Sequence, residues 1–199
     1  NMLQDDINRR DFFRLEDRIH LIKRPIEKHL ISEDPYNEKF GIPKEALLFS
    51  QLRALESDAQ SLMPLIVDTN NAVATYLKTI DQKIDCLTRY LVSSSKGENI
   101  AKKENVSLSE GGISFVYHSP LELDSYVHLT MVLFPSYSSI STIGQVKGSS
   151  LLDGLPAIHR IGVEFTVLLE NDRKQLSRHI RRKQSLELRE HSPKSDENR

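Results

Sequence analysis

Three arginines near the start of the chain, Arg9, Arg10 and Arg14, have the side chains and spacing of an anion-binding segment. Arg10 and Arg14 form an RxxxR pattern, and Phe12 and Phe13 between them can anchor the segment to a hydrophobic surface. A guanidinium group presents paired donors that match phosphate oxygens and the O6 and N7 acceptors of guanine. It is also a flat cation on which a base can stack. The pattern favours a phosphate-bearing ligand, and the alternative is an ordinary solvated basic edge.

A second polar segment, SLSEGGISF at residues 107–115, combines small hydroxyl side chains with two adjacent glycines. The hydroxyl of Ser109 can hydrogen-bond a ligand. Gly112 allows a close approach where a Cβ atom would intrude. The glycine pair is equally compatible with a tight turn or a bulge that binds nothing. The segment therefore supports a binding site only in combination with the arginines.

Together with HRIGVEF at residues 159–165 and the helix that follows, these motifs resemble the PilZ domain family. The resemblance covers about residues 8–26 and 104–188 and leaves the middle of the chain as an insertion. It implies a small antiparallel β-barrel with a C-terminal helix. It also implies that RxxxR and the family's [DN]xSxxG motif hold the second messenger cyclic di-GMP. The binding residues expected from the resemblance are Arg9, Arg10, Arg14, Ser107, Ser109 and Gly112.

Ser107 departs from the family motif, which has Asp or Asn at this position. The serine hydroxyl is shorter and presents one oxygen, so its contact with a guanine would be longer or mediated by water. The loss of one good contact costs about 1 to 3 kcal/mol, or about tenfold to hundredfold in affinity. Asn105 cannot substitute without a slip in strand register. The sequence therefore leaves open whether the ligand binds.

Composition and missing motifs exclude several classes of function. The chain has 199 residues, of which 27 are Lys or Arg and 28 are Asp or Glu, so no large charge favours duplex nucleic acid. Its apolar stretches are far shorter than the roughly 20 residues that span a bilayer, and no signal peptide opens it, so we expect a cytoplasmic protein. The lone Cys86 and seven dispersed histidines predict no metal site. Without hydrolase, NTPase or dinucleotide motifs, we expect neither enzymatic activity nor a cofactor.

Residues 44–92 carry apolar side chains at alternating steps of four and three, the pattern of a coiled coil over about seven heptads. A stripe this long stays in water unless another helix covers it, so we expect residues 44–95 to form a homo-oligomer. The alternative is that the helices fold back onto their own barrel. Pro64 and residues 68–71 are possible breaks, which leaves open one kinked helix or two. The predicted contact residues are Leu48, Leu52, Leu55, Leu62, Ile66, Val73, Tyr76, Ile80 and Leu87.

Strand patterns flank this insertion. Residues 18–26 predict a first strand, and apolar side chains at every second position predict others at 113–117, 127–133 and 161–167. Turn signals at 119–120, 135–136 and 148–150 separate them, which favours a small antiparallel barrel. The predicted divisions are residues 1–43 with RxxxR and the first strand, 44–95, 100–190 with the remaining barrel and C-terminal helix, and a disordered tail at 191–199. The basic cluster at 178–183 is predicted to be a solvated helix end rather than a second anion site.

The resemblance implies a regulatory adaptor. Cyclic di-GMP would draw the Arg10 to Arg14 segment against the Ser107 to Gly112 strand, and the ordered surface would be presented to an unidentified protein partner. The main alternative is a PilZ-like protein that does not bind the ligand and acts as an oligomeric scaffold in motility, pilus or virulence regulation. A single-stranded nucleic-acid binder is disfavoured, because the chain has no Trp and a balanced charge.

Overall fold

The computed structural model describes residues 14–94, 102–152 and 154–191. Arg9, Arg10 and the predicted disordered tail from residue 192 lie outside the described residues. The described chain forms a six-stranded barrel, three α-helices between its first two strands, and a C-terminal helix. The strands are β1 (Leu15–Ile26), β2 (Glu104–Leu108), β3 (Gly112–Tyr117), β4 (Tyr126–Leu133), β5 (Ser138–Leu152) and β6 (Ile158–Val167), and the helices are α1 (Lys44–Gln60), α2 (Met63–Thr69), α3 (Asn71–Ser94) and α4 (Glu170–His191).

The barrel is closed and antiparallel, in the order β1-β2-β3-β6-β5-β4, which confirms the predicted fold class. Its closure depends on β1, whose residues 15–19 pair with β2 and whose residues 20–26 pair with β4. Alternate side chains of the strands fill the interior, and two residues of α4 close one side of the core. The buried core includes Ile19, Leu21, Val106, Leu108, Phe115, Leu129, Met131, Ile140, Ile161, Leu176 and Ile180.

The longest strand, β5, was not predicted, because its sequence is rich in serine and glycine. Several of its polar side chains are nevertheless buried and hydrogen-bonded: Thr142 Oγ1 donates to the Val167 carbonyl at 2.8 Å, and Ser141 Oγ lies 3.3 Å from Thr130 Oγ1. The predicted turn at residues 148–150 is wrong, since these residues continue β5 past an irregularity between Val146 and Gly148. Glycine and serine here accompany a shift in strand register rather than a chain reversal.

The outer face of β4 is also buried, because the chain between β1 and α1 and the first turns of α1 cover it. The ring of Phe40 stacks on His128 with centroids 4.2 Å apart. Phe49 of α1 packs with Val132 and Phe134 in a second hydrophobic cluster. The start of the insertion therefore folds back onto its own barrel, as the alternative interpretation of the helices predicted.

A hydrogen-bonded group ties this connection to the C-terminal helix. The Tyr36 hydroxyl donates to Asp172 Oδ2 at 2.8 Å and accepts from the Ser141 amide at 3.2 Å. Burial raises the pKa of Asp172 to about 6, although the hydrogen bond from Tyr36 opposes that shift. The connection to α1 is thus held by the barrel and by α4 together.

The insertion is divided at both predicted places, so a single continuous heptad register over residues 44–92 is wrong. The first helix ends before Ser61, and Pro64 lies in the first turn of α2, where its missing N–H leaves no hydrogen bond unmade. Asn70 separates α2 from α3, and its side-chain oxygen accepts from the amides of Ala72 and Val73 at 3.1 and 3.2 Å. Three helices result, with Asn70 as an N-cap.

Most of the predicted contact residues are nevertheless uncovered within the chain. Leu55, Tyr76 and Leu87 expose 67%, 66% and 63% of their surface, and Leu48, Leu62 and Val73 are also exposed. Leu52, Ile66 and Ile80 are half-buried. Two exposed residues of α3 that the heptad register did not include, Ile84 and Leu91, add to the apolar surface. We call the exposed residues among these the apolar stripe: Leu48, Leu55, Leu62, Val73, Tyr76, Ile84, Leu87 and Leu91.

Candidate functional site

One end of the barrel brings together Arg14 and the β2–β3 hairpin. Leu15 pairs with Leu108, so the next positions outward in register are Arg14 and Ser109. Arg14 is exposed and immediately precedes the strand. The described part of the predicted binding set therefore lies along one rim, although its members are more than 90 positions apart in sequence.

The hairpin is closed by Ser109. Its amide donates to the Gly112 carbonyl at 2.9 Å, and its hydroxyl donates to the same carbonyl and accepts from the Gly112 amide, both at 3.1 Å. A hydroxyl has one hydrogen and two lone pairs, so the turn leaves one lone pair for a ligand. Ser109 thus has a structural role that would persist without any ligand.

Ser107 lies within the sheet, between Glu16 of β1 and Ser114 of β3, and exposes 8% of its surface. Most of its hydroxyl is therefore out of reach of a ligand above the rim. The longer side chain that the family has at this position would extend further toward the rim.

Gly112 is required by the packing of β3 against β6. A Cβ atom built on Gly112 would lie 2.3 Å from the Val163 carbonyl oxygen, which is too close for any side chain. The same strand pair carries a hydrogen bond from the Phe165 amide to the Gly111 carbonyl at 2.9 Å. The glycine of the motif therefore serves the barrel itself.

Replacing Gly112 by alanine should lower the free energy of unfolding by about 1 to 3 kcal/mol, because β3 must move away from β6. Gly148→Ala is the matched control, since nothing lies within 4 Å of the point that a Cβ atom on Gly148 would occupy. Urea unfolding followed by circular dichroism measures both. Equal stability of the two variants would contradict the packing argument.

The C-terminal helix reaches the same rim, which the sequence did not reveal. Asp17 of β1 is buried, and its carboxylate accepts from His179 Nε2 and Lys183 Nζ, each at 2.6 Å. Burial alone would raise the pKa of Asp17, but the hydrogen bonds from His179 and Lys183 outweigh it and lower the pKa to about 2. Nearby, the Ser177 hydroxyl donates to the Glu110 carboxylate in the hairpin. The helix therefore fixes both strands that form the rim.

These contacts correct the prediction for residues 178–183. Because α4 continues to His191, the basic cluster lies in the middle of the helix rather than at its end. His179 and Lys183 face the barrel. The sequence could have indicated this orientation only if Asp17 had been recognised as the buried carboxylate that binds them.

Among the described residues, no group of three or more His, Cys, Asp or Glu side chains is arranged to hold a metal ion. No helix of the described chain is both long and apolar enough to cross a membrane. The groups present at the rim are the Arg14 guanidinium, serine hydroxyls, backbone groups and the Glu110 carboxylate, which accepts from Ser177.

One solved structure aligns over most of the chain, and others align over about half of it. A protein from Xanthomonas campestris, described as a tetrameric PilZ domain that self-assembles through a helical bundle, aligns over 90% of each chain with 17% identity and a TM-score of 0.54. MrkH of K. pneumonia aligns over 45% of this chain and 44% of its own, with 16% identity and a TM-score of 0.36. The PilZ domain of Escherichia coli YcgR with cyclic di-GMP aligns over 50% of this chain and 83% of its own, with 18% identity and a TM-score of 0.35.

No family model and no curated protein matches the chain. Coverage of 90% cannot be reached without the helices between β1 and β2, so the likeness to the Xanthomonas structure extends into the insertion. The chain therefore has the fold of a PilZ domain with a helical insertion.

Proposed function

We propose that the protein is a non-enzymatic regulatory adaptor that binds cyclic di-GMP at the rim formed by Arg14 and the β2–β3 hairpin. The observation that carries this proposal is the strand register, which sets Arg14 beside Ser109. Arg10 is four residues earlier, and four residues span at most about 14 Å, so it stays within reach of the same dinucleotide. Guanidinium groups from both would bind phosphates and guanine edges.

Capture of the ligand would hold the arginine segment against the hairpin. The free lone pair of Ser109 can accept one further hydrogen bond, while Ser107 would contribute little because it is nearly buried. Because α4 already fixes β1 and the hairpin, the segment before Leu15 is the part expected to move on binding. A protein partner would bind the surface that this closure forms.

Calorimetric titration with cyclic di-GMP tests this proposal. We expect saturable binding by the wild type and a loss of about a hundredfold or more in Arg10→Ala/Arg14→Ala, because two charge-assisted contacts are removed. Arg173→Ala/Lys174→Ala removes the same charge from exposed positions of α4 and should bind like the wild type.

A gain-of-function variant makes the test sharper. Ser107→Asn restores a family side chain without adding a second carboxylate beside Glu16, and it should raise the affinity about tenfold. If folded wild type fails to bind at high micromolar ligand and Ser107→Asn also fails, cyclic di-GMP binding is refuted.

The second candidate function is an oligomeric scaffold that binds no nucleotide. The structural roles of Ser109 and Gly112 favour it, since neither residue needs a ligand to explain its presence. The apolar stripe supports assembly in either case, because large exposed apolar surfaces rarely face water in a functional protein. The self-assembly described for the Xanthomonas protein supports the same arrangement.

Replacing Leu55 and Leu87 by glutamate should dissociate this assembly, because two charges would be buried in an apolar helix contact. Light scattering coupled to size-exclusion chromatography should give the monomer mass for this variant and a multiple of it for the wild type. Thr75→Glu/Gln82→Glu adds the same charge at exposed polar positions of α3 and should remain assembled. A monomeric wild type would exclude the scaffold.

A further inference from the structure

A cleft of about 430 Å³ lies between α4, the helical insertion and the β4–β5 turn; it shares His179 and Lys183 with the contacts at the rim, but Arg14 and the β2–β3 hairpin do not line it. Its volume falls within the range of small-molecule sites, which is about 300 to 1,000 Å³. It is lined by polar and charged side chains of α1, α3 and α4 and by residues 135–138 of the β4–β5 turn.

The cleft is positively charged in a chain whose net charge is −1. Five lysine and arginine side chains line it, against the carboxylates of Glu56 and Asp85. Both carboxylates are engaged by one cation, Arg53, whose guanidinium contacts Glu56 and donates to Asp85 at 3.0 Å. The other cations of the cleft therefore have no counter-charge from the same walls.

Two of these cations are available to a ligand. Arg178 and Arg182 are one turn apart on α4, both are exposed, and neither forms an ion pair with a described residue. Lys183, in contrast, is engaged by Asp17. Arginines four positions apart lie on one face of a helix, so both guanidinium groups can reach one phosphoryl group.

A buried acceptor accompanies these donors. Gln175 lines the cleft with 8% of its surface exposed, and its Oε1 has no hydrogen-bond donor among the described residues. A buried oxygen without a donor costs about 1 to 3 kcal/mol, which a ligand N–H or O–H group would recover. The cleft is therefore complementary to a ligand with two different groups: a phosphoryl group at the arginines and a hydrogen-bond donor at Gln175.

We propose that this cleft binds a nucleotide, with its phosphates at Arg178 and Arg182 and a base or ribose donor at the amide oxygen of Gln175. A nucleotide carries both groups, and a volume of about 430 Å³ lies within the range of small-molecule sites. Neither Ser109 nor Arg14 lines the cleft, and titration of Arg10→Ala/Arg14→Ala distinguishes this site from cyclic di-GMP binding at the rim. A nucleotide in it would bridge α4 to α1 and α3.

Titration with GDP and with pyrophosphate tests the proposal in the full chain. The wild type should bind both probes, and Arg178→Ala/Arg182→Ala should bind both at least about tenfold more weakly. The control Arg173→Ala/Arg181→Ala removes the same charge from exposed positions of α4 that do not line the cleft. It should bind within about twofold of the wild type.

A third variant separates the two halves of the site. Gln175→Leu should weaken GDP binding about tenfold and leave pyrophosphate binding unchanged, because only the nucleoside has a donor for this position. Circular dichroism establishes that the variant is folded. Failure of folded wild type to bind either probe at millimolar concentration overturns the proposal, and so does equal weakening by the two arginine pairs. Loss of GDP binding in Arg10→Ala/Arg14→Ala would assign the probe to the rim and would overturn it as well.

Discussion

Phe49→Ala is expected to lower the free energy of unfolding by about 3 to 5 kcal/mol. The ring is 1% exposed and packs with Val132 and Phe134, and its edge meets Tyr137 with centroids 6.0 Å apart. Truncation would leave a cavity at the junction between the insertion and the barrel, and α1 would lose the larger of its two buried side chains. Urea unfolding at one fixed protein concentration measures the change, because assembly would otherwise alter the apparent stability.

The control for this prediction is Leu123→Ala, which truncates a side chain that is 64% exposed in the turn before β4. Its effect should stay within about 0.5 kcal/mol. If Phe49→Ala lowered the free energy of unfolding no more than Leu123→Ala does, the insertion would be held to the barrel by other contacts.

Asp17→Asn is expected to cost about 3 kcal/mol at neutral pH, because His179 and Lys183 would lose the carboxylate that they share. The folded-state pKa of Asp17 is lowered to about 2 from 3.8. Its contribution is therefore complete above pH 4 and disappears as the pH falls from about 4 to about 2. Over that interval the wild type should lose about 2 kcal/mol that the variant does not lose.

Asp124→Asn is the matched control for Asp17. Asp124 is 71% exposed beside Lys147, and asparagine tolerates its positive φ of 63°. Such an exposed pair contributes less than about 1 kcal/mol, so the variant should follow the wild type at every pH. Parallel acid curves for Asp17→Asn and the wild type would contradict the role assigned to the buried carboxylate.

The barrel was predictable because most of its strands alternate apolar and polar side chains. β5 was missed because serines and threonines occupy many of its buried positions, where some of them hydrogen-bond the backbone or β4, so its sequence carries no apolar period. The burial of the outer face of β4 could not be predicted either, because the residues that cover it, Phe40 and Phe49, belong to elements outside the sheet. The hydrophobic pattern of one strand does not show which other segment of the chain covers it.

The candidate site was only partly predictable. Sequence reasoning selected Ser109 and Gly112, and the strand register, extended by one position beyond Leu15 and Leu108, puts Arg14 opposite Ser109. It assigned both hairpin residues to a ligand, whereas their internal contacts explain them without one. It also left Asp17 unnoticed, because a carboxylate among many others acquires its partners only when α4 packs on β1. Long-range pairing therefore decides which charged residues are structural.

The division of β1 between β2 and β4 has a consequence for synthesis on the ribosome. His20 reaches its contact with Lys102 across 82 positions of sequence, and β4 follows later still. Because the ribosome adds about 5 to 20 residues per second, roughly 4 to 16 s pass between the synthesis of His20 and that of Lys102. During that time the local helices of the insertion can form, while Ile19 and Leu21 have no sheet to enter. β1 is therefore expected to stay unpaired, with its apolar residues in water, for several seconds after its synthesis.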